Sequence, residues 1–525
     1  RWGVFAPMYG LASAASGQAG DLASMAELFD ALAARGGSYV ATLPILAQFL
    51  DEPCAFSPYS PASRLWWNEL YLDLTALAAD VQRPAGSASF RPGSLVRPDA
   101  PPIVNGTLID YRACYAQRRR QLDSLVVPLL AARGLEIDAW ARTAGAYDYA
   151  AFRALGEHAR TGWRSWTGAQ PDFIATRESA IAAGCDAARV DAHVVAQWAM
   201  QRQLDALQGG KVQLYLDLPV GVNTDAYEVW RWREQFLLDA SAGAPPDPLF
   251  LGGQDWGLPP LSPIASRREH HRYFIACIRH HVRNAGMLRV DHVMGLFRLY
   301  CVPHGRPATD GVYLRYPHEE LLAILALESA RAKCALVGED LGTVPDGVRP
   351  AMEQHGMFRI HVGQWYLPSK LGGKIGASPA ECVAGLNTHD TPTFAGWWTG
   401  ADIADKRDLA LIDSAQEAQE LAERAVAREA MLELSANVPG LAGGVEGAMV
   451  AATADLAAGP AEIVLVALDD LTLDPVPHNV PGTTSQRPNW QRRIAQWRDV
   501  LDPLRAPSAA AAAIAAVVKA RPSTK

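Results

Sequence analysis

At 525 residues the chain is too long for one minimal domain; the length suggests about three units, or one α/β barrel carrying insertions. Hydrophobic residues make up 49% and charged residues 20%, which supports a sizeable core and excludes disorder for most of the chain. Lys and Arg (48) fall short of Asp and Glu (56), and a net charge of −8 argues against a nucleic-acid partner. The nearest basic run, Arg118–Arg120, reads as the solvated side of a helix.

In chain order, short runs rich in Val, Ile, Leu and aromatics recur, each followed by a polar or glycine-bearing turn. They are Trp2–Tyr9, Ser38–Ile45, Val212–Val220, Met287–Val293, Ala335–Leu341, Met357–Trp365, Val383–Thr388 and Glu462–Leu468. Strands buried on both faces read as continuous apolar runs of this kind. Helical stretches separate several of them: Leu22–Arg35, Arg267–Ala285 and His318–Lys333, the last with a clear 3.6-residue apolar period. Eight runs alternating with helices predict a parallel (β/α)₈ barrel, built from residues 1–45 and 211–500.

Two segments exceed a minimal barrel. Residues 46–210, after the second run, contain helical patterns at Ile109–Arg133 and Val190–Leu207; residues 392–460, after the seventh, contain Ala415–Ser435. Structureless loops of that length are improbable, so both read as mostly helical insertions on the C-terminal face, where barrel active sites sit. Residues 501–525 read as an Ala-rich tail whose helix, Ser508–Val518, includes a run too short to span a bilayer. No signal-peptide pattern opens the chain, and an Arg in place of Met at position 1 suggests a piece of something longer. Seven scattered cysteines without a Cys-x-x-Cys spacing point to reduced thiols and a cytoplasmic setting.

The acids carry the functional signal. Asp217, Asp291, Glu339 and Asp390 fall at the ends of the third, fourth, fifth and seventh strand-like runs. One such acid reads as a turn residue, but four would converge on one pocket at the C-terminal face. Glycoside cleavage needs two carboxyls in different protonation states, one to protonate the leaving oxygen and one to attack the anomeric carbon. Arg289, two residues before Asp291 on a strand, shares its face and would keep it ionised and aimed. Glu339 follows the apolar run Ala335–Val337 and Gly338, a low-dielectric setting that suits a general acid. His292 and His389, each beside an acid, can donate to sugar hydroxyls or serve as core histidines.

Other signals are weaker. The glycines of GGQDWG (252–257) lack a strand-to-helix nucleotide fingerprint and read as a loop. His270, Cys277 and His281 share one helical face, yet three ligands on one helix cannot easily surround a metal. Trp66–Trp67, Trp163, Trp166 and Trp397–Trp398 read mostly as core, with one member of each adjacent pair available for sugar.

The strings SPYSPASRLWWNELYLDL (57–74), YLDLPVGVNTDAYEVW (215–230), LRVDHVMGLFRLYCVPHG (288–305), YLRYPHEELLAILALES (313–329), VGEDLGTVP (337–345), LNTHDTPT (386–393) and NVPGTTSQRPNW (479–490) carry a resemblance. In that order, and over essentially the whole chain, the sequence resembles the 4-α-glucanotransferases called amylomaltases, glycoside hydrolase family 77. The resemblance implies a barrel with helical insertions and a retaining double displacement that transfers glycosyl units between α-1,4-glucans such as maltooligosaccharides, glycogen or starch fragments. It implies that Asp291 is the nucleophile, Glu339 the general acid/base and Asp390 the transition-state stabiliser. Arg289, His292, His389 and Asp217 take supporting positions, Gln254 and Trp256 match a donor-sugar contact, and Tyr59 matches a loop aromatic that stacks on glucan. Where many members read Asp-Asn-Asp-Thr at the third acid, this chain reads Asp390-Thr391-Pro392-Thr393. A retaining enzyme is expected to hold its two carboxyls about 5–5.5 Å apart. No metal, nucleotide or redox cofactor is required, and no membrane partner is expected. The alternatives are a hydrolase on the same fold and a silent glucan-binding protein.

Overall fold

The computed structural model describes residues 1–97, 108–167, 170–246, 250–436, 443–502 and 504–522. Eight of its twelve strands close into a parallel barrel: β1 (Trp2–Phe5), β2 (Tyr39–Ala41), β3 (Gln213–Leu218), β6 (Met287–Val290), β9 (Ala335–Gly338), β10 (Met357–Val362), β11 (Cys382–Gly385) and β12 (Ile463–Ala467), neighbours in that order, with β12 returning to β1. Seven lie within the eight apolar runs and β11 starts one residue before its run, at Cys382, so the expected (β/α)₈ barrel is the fold. The two-residue side-chain period fills it: Tyr39, Ala41, Tyr215, Met287, Val337, Val383 and Ile463 point inward and form one apolar cluster. The alternate residues, such as Val4, Val40, Leu216, Leu288 and Val464, join the larger core shared with the surrounding helices.

That period also sets up the site. Tyr215 and Asp217 share the inward face of β3, as do Met287 and Arg289 on β6, and Asp217 stands directly opposite Arg289 in register. Val290 pairs with Gly338, so Asp291 and Glu339 follow side by side on strands about 4.8 Å apart. Gly338 is needed at that closure: a Cβ there would lie 2.7 Å from Met352 Cε and 3.0 Å from Val293 Cγ2.

The long segments hold helices, Tyr111–Ala144, Ala146–Ala159 and Ala187–Leu207 in the first and Ser414–Ser435 and Gly444–Ala458 in the second. Residues 98–107, 168–169 and 437–442 within them lie outside the described part. The first helix runs past the expected Arg133 through a kink at that residue, whose buried guanidinium donates to Asp80 O. The expected helix 267–285 is two helices, Pro263–Arg268 and Arg272–Val282. His270 and His271 between them turn left-handed (φ 53° each), which lets the His271 ring reach Ser266 Oγ at 3.0 Å and Glu320 Oε2 at 2.8 Å.

Two readings need correction. Arg118 and Arg119 are buried rather than solvated: Arg118 donates to Asp21 at 3.0 Å, and Arg119 to Asp123 at 2.9 Å and Glu157 at 3.1 Å, so paired carboxylates repay their desolvation. Neither member of the pairs Trp66–Trp67 and Trp397–Trp398 is free; all four are buried, the second pair because it lies on a short helix (Phe394–Thr399) rather than on extended chain.

A four-stranded antiparallel sheet was not foreseen. It comprises β4 (Ala240–Ala244), β5 (Gln254–Leu258), β7 (Arg298–Pro303) and β8 (Val312–Arg315) in the order β5-β4-β7-β8. The hairpin after β3 and the hairpin after β6 thus zip together over the barrel's C-terminal end, with Ala242 opposite Cys301. Among the described residues no helix is long and apolar enough to cross a membrane.

Candidate active site

The barrel floor begins with a shared cation. Arg289 Nη1 donates to both oxygens of Asp217, at 2.9 and 2.8 Å, and lies 2.8 Å from Asp291 Oδ1. Burial alone would favour the neutral guanidine, but the two carboxylates hold Arg289 well above its ordinary value, so it stays a fixed cation. Asp217 is buried with it, and burial raises its pKa, ahead of the opposing pull of Arg289. Asp217 also accepts the hydroxyl of Tyr59 at 2.6 Å.

Asp291 and Glu339 occupy one rim. The Asp291 N–H donates to Leu218 O, which carries the parallel ladder one residue beyond β6 and fixes where the side chain starts. Glu339 accepts two backbone N–H groups, His292 at 3.0 Å on Oε2 and Leu341 at 2.6 Å on Oε1. Burial nevertheless pushes its pKa up to about 7; Arg289 pulls the other way, and the charge of Asp291 adds to the rise. His292 between them has φ 44°, a left-handed conformation that a non-glycine residue adopts at a cost. That turn swings its ring edge-on to Trp256, with centroids 5.4 Å apart. Burial lowers the His292 pKa, with the Asp291 charge pulling the other way. Gln254 Oε1 is 3.4 Å from Trp256 Nε1, which places both residues of β5 on this wall.

Asp390 follows β11, two strands round the barrel from Glu339, and its side chain is 43% exposed. Burial of its inner side would raise its pKa, but His389 Nε2 at 3.0 Å on Oδ2 and the Asn479 amide at 2.7 Å on Oδ1 outweigh this and hold it at about 2. Tyr59 fixes the histidine tautomer. Its hydroxyl proton goes to Asp217, so His389 Nε2, 2.8 Å from that oxygen, must be the donor, which also suits Asp390. The rings of Tyr59 and His389 stack at 5.1 Å, and Trp490 leans on both at 5.4 and 6.0 Å.

The sequence profile of glycoside hydrolase family 77, 4-alpha-glucanotransferase, matches residues 6–498. The chain belongs to the 4-alpha-glucanotransferase family. It is 30% identical to a 4-alpha-glucanotransferase of Haemophilus influenzae, over 94% of this chain and 75% of that protein. To the 4-alpha-glucanotransferase of Mycobacterium tuberculosis it is 33% identical, over 93% of this chain and 70% of the relative. The same fold appears in the amylomaltase of Corynebacterium glutamicum (TM-score 0.78, 24% identity, 98% of this chain and 75% of that one). It appears again in the amylomaltase of Streptococcus agalactiae in complex with acarbose (TM-score 0.75, 19% identity, 99% of each chain).

For this member of the 4-alpha-glucanotransferase family, all ten residues singled out from sequence lie at the barrel's C-terminal end or on the sheet above it. Asp217, Arg289, Asp291 and Tyr59 form one bonded network, and His389 joins it to Asp390. Glu339 meets it through the His292 backbone, and Trp256 and Gln254 through the His292 ring. Asn479 and Trp490 were missed, although both lie within the string 479–490 that carried the family resemblance. The trio His270, Cys277 and His281 does not share one helix, since the chain breaks at His270; His281 Nδ1 faces Cys277 O at 2.8 Å. Among the described residues no group of three or more His, Cys, Asp or Glu is arranged to hold a metal ion.

Proposed function

We propose that the protein is a disproportionating 4-α-glucanotransferase acting on α-1,4-glucans by double displacement. The observation that carries the reading is the carboxyl pair at the ends of β6 and β9: Asp291 lies 2.8 Å from the Arg289 cation, and Glu339, pushed up to about 7 by burial, stands beside it on the neighbouring strand. Unequal protonation of neighbouring carboxyls is what glycosyl transfer with retention requires.

In the first half-reaction an Asp291 oxygen attacks the anomeric carbon, the glycosidic C1–O bond breaks, and the Glu339 proton goes to the leaving 4-oxygen. The fragment remains as a glycosyl ester on Asp291. In the second, Glu339 takes the proton of an incoming 4-hydroxyl, that oxygen attacks C1, and the ester bond breaks. Asp390, kept ionised by His389 and Asn479, faces the positive charge that develops at the ring. Trp256 and Tyr59 offer aromatic surface to the sugars on either side. Maltooligosaccharides and glycogen or starch fragments are the substrates that fit, and acarbose, bound by the Streptococcus agalactiae relative, is an α-linked analogue of them.

Incubation with maltotriose alone tests the reading. Transfer yields glucose together with a ladder of longer oligomers. Glucose and maltose without longer products mean hydrolysis, and unchanged maltotriose means binding alone; either result refutes the assignment.

A further inference from the structure

Asp470 lies beneath the site, on the short helix Leu468–Leu471 that follows β12, and is 1% exposed. No sugar in the cleft can touch it. Its oxygens are nonetheless fully occupied. Asn387 Nδ2 donates to Oδ1 at 2.8 Å and to Oδ2 at 2.9 Å, and the Phe394 N–H donates to Oδ1 at 2.8 Å.

Asn387 and Phe394 are the two ends of the loop that carries His389 and Asp390. Between them the loop is braced mostly on itself: Thr388 N–H donates to Thr391 Oγ1 at 2.8 Å, Thr391 N–H to Thr388 O at 3.2 Å, and Asp390 N–H to Thr388 Oγ1 at 3.3 Å. Asp470 thus ties both feet of the loop to one buried point, beside the bond of Thr393 Oγ1 to Asp474 O at 2.5 Å and the contacts of His389 with Tyr59 and of Asp390 with Asn479. The neighbouring Asp469 serves the facing segment: it accepts from His478 Nε2 at 3.1 Å and Arg492 Nη2 at 2.8 Å, and residues 478–492 supply Asn479 and Trp490.

We propose that Asp470 is a positioning residue for Asp390, setting the stabilising carboxylate against the reacting ring by holding both ends of the 387–394 loop. The proposal rests on the catalytic reading given above. Burial pushes the Asp470 carboxyl up to about 7, with Asp469 adding to the rise, and the Phe394 N–H and the Asn387 amide oppose it. A buried carboxyl kept only for stability would be replaceable without a specific effect on turnover; a positioning group is not, since a misplacement of about 1 Å costs about 100-fold.

The test is steady-state disproportionation of maltotriose by the full chain. Asp470→Asn puts an amide donor against the Asn387 amide, and kcat is expected to fall about 10- to 100-fold while KM changes less than about threefold. Asn387→Ala, at a half-exposed position, carries the same expectation of a kcat loss if Asp470→Asn does not fold. A folded variant with kcat within about twofold of the parent overturns the proposal. A double-mutant cycle separates positioning from general damage, with α-maltosyl fluoride as donor so that weak activity is measurable. In an Asp390→Asn background, Asp470→Asn should add less than about threefold; a full multiplicative loss refutes the link. If Asp390→Asn alone leaves near-normal activity, the catalytic reading itself fails, which is a distinct result.

Discussion

Glu339→Gln is the substitution that most directly probes the unequal carboxyls. With a pKa of about 7 the parent holds its proton below that pH, so the acid form falls to about one-tenth by about pH 8 and about one-hundredth by about pH 9. Donor cleavage by the parent should therefore lose about tenfold per unit on the alkaline side. The amide can neither give nor take a proton. Loss of general acid–base catalysis is worth about 10²- to 10⁴-fold on maltotriose, and the residual rate should lack the alkaline limb. Fluoride leaves without a proton, so α-maltosyl fluoride should be cleaved by the variant with a much smaller deficit. Added azide should then capture the fragment as the α-azide, since no general base is needed. The assay is fluoride release and product anomer over about pH 5–9. An unchanged alkaline limb in the variant, or equal losses on both donors, would refute the assignment of the proton to Glu339.

Asp291→Asn should lower turnover by several orders of magnitude while glucan binding, measured by calorimetry, stays largely intact. Asn479→Ala removes a hydrogen bond to an ionised carboxylate, a contact worth about 1.5–3 kcal/mol, and should reduce kcat about tenfold or more with little change in melting temperature. Trp256→Ala should raise KM for maltooligosaccharides about tenfold by removing the aromatic wall beside His292, seen in initial rates against substrate concentration. Glu339 also makes stability depend on pH. Its folded-state pKa lies above the ordinary 4.5, so the native state binds the extra proton, and stability falls as pH rises from about 4.5 to 7, by on the order of 3 kcal/mol. Denaturant titrations at about pH 5 and 8 should show a loss smaller by about that amount in Glu339→Gln than in the parent, the buried Asp470 carboxyl, pushed up to about 7, contributing to the part that remains.

The barrel was legible because its strands are buried on both faces, so each prints as an unbroken apolar run and the acids stand out at the ends. Asp217, Arg289, Asp291, Glu339 and Asp390 were readable for the same reason: a charge beside such a run needs an explanation. The antiparallel sheet was not legible. Ala240–Ala244 is made of Ala, Ser and Gly, Val312–Arg315 is largely exposed, and the pairing of β4 with β7 joins segments on either side of a barrel strand. The burial of Arg118 and Arg119 depends on carboxylates at 21 and 157, partners that no local pattern announces. Asn479 and Trp490 sit on a segment with no strand or helix to signal them; the hydrogen bond to Asp390 across 89 residues of sequence and the ring contacts with Tyr59 and His389 give them a role.

The sheet above the site has a practical consequence for anyone reshaping this protein. Its outer strand β5 carries Trp256, yet among the described residues β5 pairs with no strand but β4, and β4 pairs in turn with β7, which follows Asp291 after the short turn Val293–Leu296. Transplanting residues 240–258 from a relative without their 298–315 counterpart would set a foreign β4 against the resident β7, and a mismatch there would leave strand edges unpaired, an invitation to aggregate. Product-range swaps should move the two hairpins as one cassette.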